Sequence, residues 1–184
     1  MSPAAPWLVA IDLQTVFADP ASPWATEKFA DSLAGTRSLL PAFVGRTVHT
    51  RFVAPAEPAG SWIPYYRDWP FALVPPDDAL YDLVLPPGDD PVVTATTFGK
   101  WGTELATLVG EADLVLTGVS TDCCVLATAL AAADAGVTVR VVSDACAGAS
   151  DSDHQRALDA MALFAPLITL TTVDEVRRSA GLGS

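Results

Sequence analysis

The chain is short of bases. Its 184 residues include two lysines, Lys28 and Lys100, and two histidines, His49 and His154, and its formal charge is −12. Nucleic acid and anionic membranes both demand a basic face, so neither is expected as a partner. No apolar run reaches the roughly 18 residues of a membrane span. Three cysteines, an odd number in a core-rich chain, argue against a disulfide scaffold. The start, Met1-Ser2-Pro3-Ala4-Ala5-Pro6, lacks a basic n-region and an apolar core of adequate length. No secretory signal is expected, and a cytoplasmic setting follows. There is no glycine-rich dinucleotide fingerprint and no P-loop. Both histidines stand alone, away from any zinc-ligand spacing. No cofactor is expected.

What the chain does have is apolar substance, 51% of its residues, and a regular alternation of short β-branched runs with helical stretches. Strands are predicted at Trp7–Ile11, Arg46–Phe52, Val92–Thr94, Leu114 to Gly118, Val137–Val142 and Leu167–Leu170. Helices are predicted over Ala25–Phe43, Thr103–Val109, from near Cys123 to Ala135 with Gly136 as its C′ residue, from Ser150 to Phe164, and over Thr172–Ala180. This pattern implies a single α/β domain over residues 1–184: three layers, a doubly wound, mostly parallel six-stranded sheet, and helices on both faces. The stretch Val53–Pro91 is different in kind, with nine prolines and a scatter of aromatic residues. It reads as a packed excursion that covers a pocket or makes a subunit contact.

Chemistry concentrates at the carboxyl ends of the strands, the ligand edge of an open parallel sheet. The run Leu114–Ala129 reads as a buried strand, a tight turn at Gly118–Asp122 and a helix opening at Cys123-Cys124. One or two thiols would then sit at a helix N-terminus, where the dipole and unpaired N–H groups favour the thiolate. Spacing alone leaves Cys123 and Cys124 equivalent. Asp12 ends the first strand on the same edge, and Lys100 lies between glycines and aromatic residues in Phe98-Gly99-Lys100-Trp101-Gly102. A thiol nucleophile needs a base and positive charge or N–H donors for its oxyanion. With histidine so scarce, a carboxylate beside a lysine can serve.

Three blocks, Leu8-Val9-Ala10-Ile11-Asp12-Leu13-Gln14, Gly118-Val119-Ser120-Thr121-Asp122-Cys123-Cys124-Val125 and Val142-Ser143-Asp144-Ala145, resemble the signatures of the isochorismatase-like cysteine hydrolases. That superfamily includes nicotinamidases and N-carbamoylsarcosine amidase. The resemblance implies Asp12 as the acid–base residue, Cys124 rather than Cys123 as the nucleophile, and a cis peptide at Val119–Ser120. It also implies an oxyanion hole from the backbone N–H groups of Ser120 and Cys124. Its lysine would fall just after the third strand, where this chain has Thr94 or Ala95. Lys100, several residues later, is expected to reach the same space. Nicotinamidases of this kind hold a divalent ion with Asp and His residues after the second strand. Between Val53 and Pro91 there is no histidine, so no catalytic metal is expected.

The resulting expectation is a metal-independent cysteine hydrolase that cleaves a C–N bond of a small amide through a thioester. An isochorismatase-type vinyl ether hydrolase and a catalytically silent scaffold are the rivals. Gln14, Phe17, Trp24, Arg51, Tyr66, Phe98, Trp101 and Val119 are the residues expected to contact the substrate, with Arg51 as a carboxylate anchor. A homo-oligomer is expected from the resemblance.

Overall fold

The structure is a computed structural model and describes residues 4–181. The start of the chain read above for a leader lies partly outside the described residues. Six strands form one sheet in the order β3-β2-β1-β4-β5-β6, and every pairing is parallel. They are β1 (Trp7–Ile11), β2 (Thr47–Phe52), β3 (Val92–Ala95), β4 (Leu114–Val119), β5 (Val139–Ala147) and β6 (Ile168–Thr171). The helices are α1 (Thr15–Ala18), α2 (Phe29–Leu39), α3 (Trp62–Asp68), α4 (Thr103–Val109), α5 (Leu126–Asp134), α6 (Asp151–Ala162) and α7 (Val173–Ser179).

Alternation along the inner strands decides which layer each residue supports. On β4, Leu114 and Leu116 face α4, α5 and α6, whereas Val115 faces α2 and α7. All six residues of β4 are buried, as expected for a central parallel strand covered on both sides. The strand order reverses between β1 and β4, so the crevice above their carboxyl ends is the topological switch point.

Three local departures from the sequence expectations shape the site. Helix α2 starts later than Ala25, at Phe29, and gives way at Pro41 to a tighter turn over Leu40–Ala42, because proline supplies no N–H to continue the ladder. Its buried face is less apolar than its periodicity suggests: Ser32 and Thr36 are buried beside Phe29 and Leu39. Gly35 explains this, since a Cβ there would lie 2.8 Å from Ala145 Cβ. Small residues let the helix press onto β5, and Ser32 Oγ donates to Ala145 O at 2.8 Å.

Strand β5 does not stop at Val142. It slips its register against β4, pairing Val141 with Leu116 and then Cys146 with Gly118, a bulge that carries it up to the site. Cys146 is therefore a buried strand residue, 6% exposed. The helix after β4 also differs. Residues Thr121–Val125 form a π turn before α5 begins at Leu126, with Val125 N–H bonded to Ser120 O at 3.1 Å. Such turns recur at functional sites.

Candidate active site

Asp12 leaves β1 with φ of +47°, a left-handed conformation that a non-glycine residue holds only when its surroundings impose it. Those surroundings are visible. Asp12 N–H donates to Thr50 Oγ1 at 3.1 Å, and the same hydroxyl donates to Asp12 Oδ1 at 2.6 Å. Thr50 on the neighbouring strand thus fixes both backbone and carboxylate. The other oxygen, Oδ2, meets Lys100 Nζ at 2.9 Å, and both side chains are fully buried. The ammonium donates to Thr97 O at 2.7 Å and Phe98 O at 3.0 Å, and the charge lies 5.3 Å from the centre of the Phe52 ring. Lys100 therefore reaches the carboxylate from beyond β3. Held by two carbonyls and the carboxylate, it acts on the site as a fixed charge.

Cys124 lies on the π turn above this pair and is 3% exposed. Burial raises its pKa well above the usual thiol range; the Asp12 charge raises it further, and Lys100 pulls the other way. Desolvation thus outweighs the pull toward the thiolate at the helix terminus, in keeping with a thiol whose proton Asp12 must accept. One hydroxyl joins nucleophile and lysine. Thr128 Oγ1 donates to Cys124 O at 2.6 Å and accepts the Lys100 backbone N–H at 2.9 Å. The Val119–Ser120 peptide is cis.

Gly118 makes the strand crossing possible. Its φ is +109°, and a Cβ there would lie 2.1 Å from Ile11 O. No residue with a side chain fits between β4 and β1 at this point.

Cys124 opens onto a cavity of about 390 Å³ with aromatic walls supplied by Phe17, Trp24, Phe52, Tyr65, Trp69 and Phe98. Ser120, Asp122 and Cys123 add the polar part of the lining. The excursion after β2 covers this cavity through α3 and the residues that follow. Burial raises the Cys123 thiol to about 11, with help from Asp122. Tyr65 is pushed up to about 12 by burial and by the two neighbouring cysteines.

Of the residues expected to contact substrate, Phe17, Trp24 and Phe98 are on the cavity wall and five are not. Gln14 is spent on the backbone: its amide donates to Phe52 O and Tyr81 O at 2.9 and 2.8 Å, and its oxygen accepts from Phe52 N–H at 2.8 Å. Arg51 donates to Pro76 O at 2.6 Å, which ties down the excursion instead of facing a ligand. Tyr66 is buried against Trp62, Trp101 packs on the core under α5, and Val119 packs with Ala10 and Leu13. The sequence reading missed Tyr65, Trp69, Asp122 and Thr128. For Tyr65 and Tyr66 adjacent positions on a short helix gave no phase to choose by. Lys28 is exposed and paired with Asp151 at 2.7 Å, and His154 on α6 braces the π turn through Thr121 Oγ1 at 2.8 Å.

A doubly wound sheet with a thiol, a carboxylate and an ammonium at its switch point defines a class of α/β hydrolytic enzymes. The chain belongs to the isochorismatase family, whose Isochorismatase domain model matches residues 6–172. Its fold is similar to that of a cysteine hydrolase from Pseudomonas syringae pv. phaseolicola, with a TM-score of 0.85 and 20% identity over 98% of this chain and 94% of that one. It is also similar to N-carbamoylsarcosine amidase from Thermoplasma acidophilum, at TM-score 0.73 and 21% identity over 93% and 98% of the two chains. Pyrazinamidase of Pyrococcus horikoshii, solved in complex with zinc, is similar at TM-score 0.74 and 21% identity over 92% and 99%. No curated protein matches the chain. Among the described residues no group of three His, Cys, Asp or Glu side chains is placed to hold a metal ion. These residues do not fit a metal ion.

Proposed function

We propose that this protein is a cysteine hydrolase that cleaves the C–N bond of a small amide through a thioester on Cys124. The observation that carries this reading is the buried Asp12–Lys100 pair, 2.9 Å apart, beneath a thiol that forms part of the cavity wall. Because the resting thiol is protonated, attack and proton transfer go together. Asp12 takes the Cys124 proton as sulfur bonds to the carbonyl carbon. The backbone N–H groups of Ser120 and Cys124 receive the oxyanion. Collapse breaks the C–N bond, and Asp12 returns the proton to the departing nitrogen. Water then gives a proton to Asp12 and attacks the thioester; the C–S bond breaks and sulfur regains its proton. Lys100 offsets the Asp12 charge whenever the carboxyl is ionised and holds it in place.

A silent scaffold has no use for such a pair, since desolvating two charges costs more than an apolar replacement would. An activated ester tests the reading without knowledge of the natural substrate. p-Nitrophenyl acetate should give a burst of nitrophenol that Cys124→Ala abolishes and Cys123→Ala retains. A burst that survives Cys124→Ala rejects the mechanism.

A further inference from the structure

The charge balance of the cavity wall says more about the substrate than its shape does. Lys, Arg and His are all absent from the wall. Lys100 is cancelled by Asp12 behind it, and Arg51 is engaged elsewhere. The wall does carry one carboxylate, Asp122, whose oxygens are held by Ser120 Oγ at 2.6 Å, Ala149 N–H at 2.9 Å and Cys123 Sγ at 3.6 Å. No cation is within ion-pair distance of it among the described residues. Six of the other lining residues are aromatic, Phe17, Trp24, Phe52, Tyr65, Trp69 and Phe98. Trp24 meets Phe52 at 72° and Trp69 at 61°, with centroids 5.8 and 6.1 Å apart, and Tyr65 is tilted by 38° at 6.1 Å. These rings pack on one another as a cluster around Trp24, and Trp24, Phe52, Tyr65 and Trp69 of that cluster all line the cavity. Aromatic rings that share a cavity with a single unneutralised carboxylate are the chemistry that recognises a substituted ammonium and repels a carboxylate.

We propose that the cavity selects amides whose non-reacting end is a substituted ammonium, seated among Trp24, Tyr65 and Trp69 with Asp122 as counter-charge. The word amide rests on the hydrolase reading above; the preference for positive charge rests on the wall alone.

Three amides of similar size separate the cases: trimethylammonioacetamide, its uncharged carbon isostere tert-butylacetamide, and the anion succinamate. Binding is followed by tryptophan fluorescence on the Cys124→Ala protein, which cannot turn them over. The cation should bind at least about fivefold tighter than the isostere, a cation–π and charge preference of ordinary size, and succinamate should bind most weakly. Asp122→Asn on the same background should bring cation and isostere within about twofold of each other by removing the counter-charge. Because Asp122 also holds the turn, Trp69→Leu is the second variant, and it should weaken the cation more than the isostere. An isostere that binds as tightly as the cation overturns the proposal, as do tighter binding of succinamate and no detectable binding of the cation at millimolar concentration. Cation preference without acylation of Cys124 by p-nitrophenyl acetate would sink the hydrolase reading and leave this one standing. Acylation without cation preference would do the reverse.

Discussion

Lys100 Nζ and Asp12 Oδ2 meet at 2.9 Å with both side chains fully buried, although the lysine sits well past the end of β3. The loop through Thr97 and Phe98 folds back so that its own carbonyls hold the ammonium. Lys100→Met should leave a buried carboxylate without its partner and cost about 3–5 kcal/mol of stability. The double variant Asp12→Asn/Lys100→Met should be more stable than Lys100→Met alone. Urea unfolding of the set checks this; a Lys100→Met protein as stable as the parent would mean that the pair is not closed in solution.

Thr128 links the two halves of the site through one hydroxyl. Thr128→Val keeps the shape but orphans Cys124 O and the Lys100 N–H, a loss of about 1–3 kcal/mol for unpaired buried groups. Its acylation rate should fall by more than its stability suggests, since the nucleophile and the lysine loop lose their common anchor. Burst kinetics beside thermal unfolding separate the two effects.

The thiol itself has a pH signature. With its pKa raised by burial and by Asp12, Cys124 is protonated through neutral pH. Iodoacetamide should therefore modify it more slowly than glutathione at pH 8, with a rate still climbing at alkaline pH. Asp12→Asn removes a charge that raises the pKa, so its profile should move to lower pH; Lys100→Met removes one that lowers it and should move the profile up. Labelling rates resolved by peptide mapping report each shift. A profile that does not respond to Asp12→Asn would place the carboxylate out of reach of the sulfur.

Gly118 is a backbone requirement. Gly118→Ala places a Cβ 2.1 Å from Ile11 O at a φ that side chains avoid. The variant should fail to accumulate as folded protein, as read by circular dichroism of the soluble fraction.

The layers and the strand count were legible because a parallel sheet buried on both faces writes itself as separate apolar runs. Helix α4 was placed at its observed ends, Thr103 and Val109, since glycine precedes and follows it. Other features depend on partners distant in sequence. The β5 bulge exists only relative to β4, so the apolar run by itself ends the predicted strand at Val142. The π turn is set by Val125 bonding to Ser120, and an ordinary helix start has the same composition. Tyr65 and Tyr66 differ only in which way a short helix faces. The pKa of Cys124 could not be read from its place at a helix start, because burial decides its sign.

The central claim is that Cys124 carries an acyl group during turnover. Mixing the protein with p-nitrophenyl acetate, quenching in acid and mapping the peptides by mass spectrometry should find the acetyl group on Cys124, absent from Cys124→Ala and from Asp12→Asn. Acetyl found on Cys123 instead, or turnover that persists in Cys124→Ala, would contradict the account.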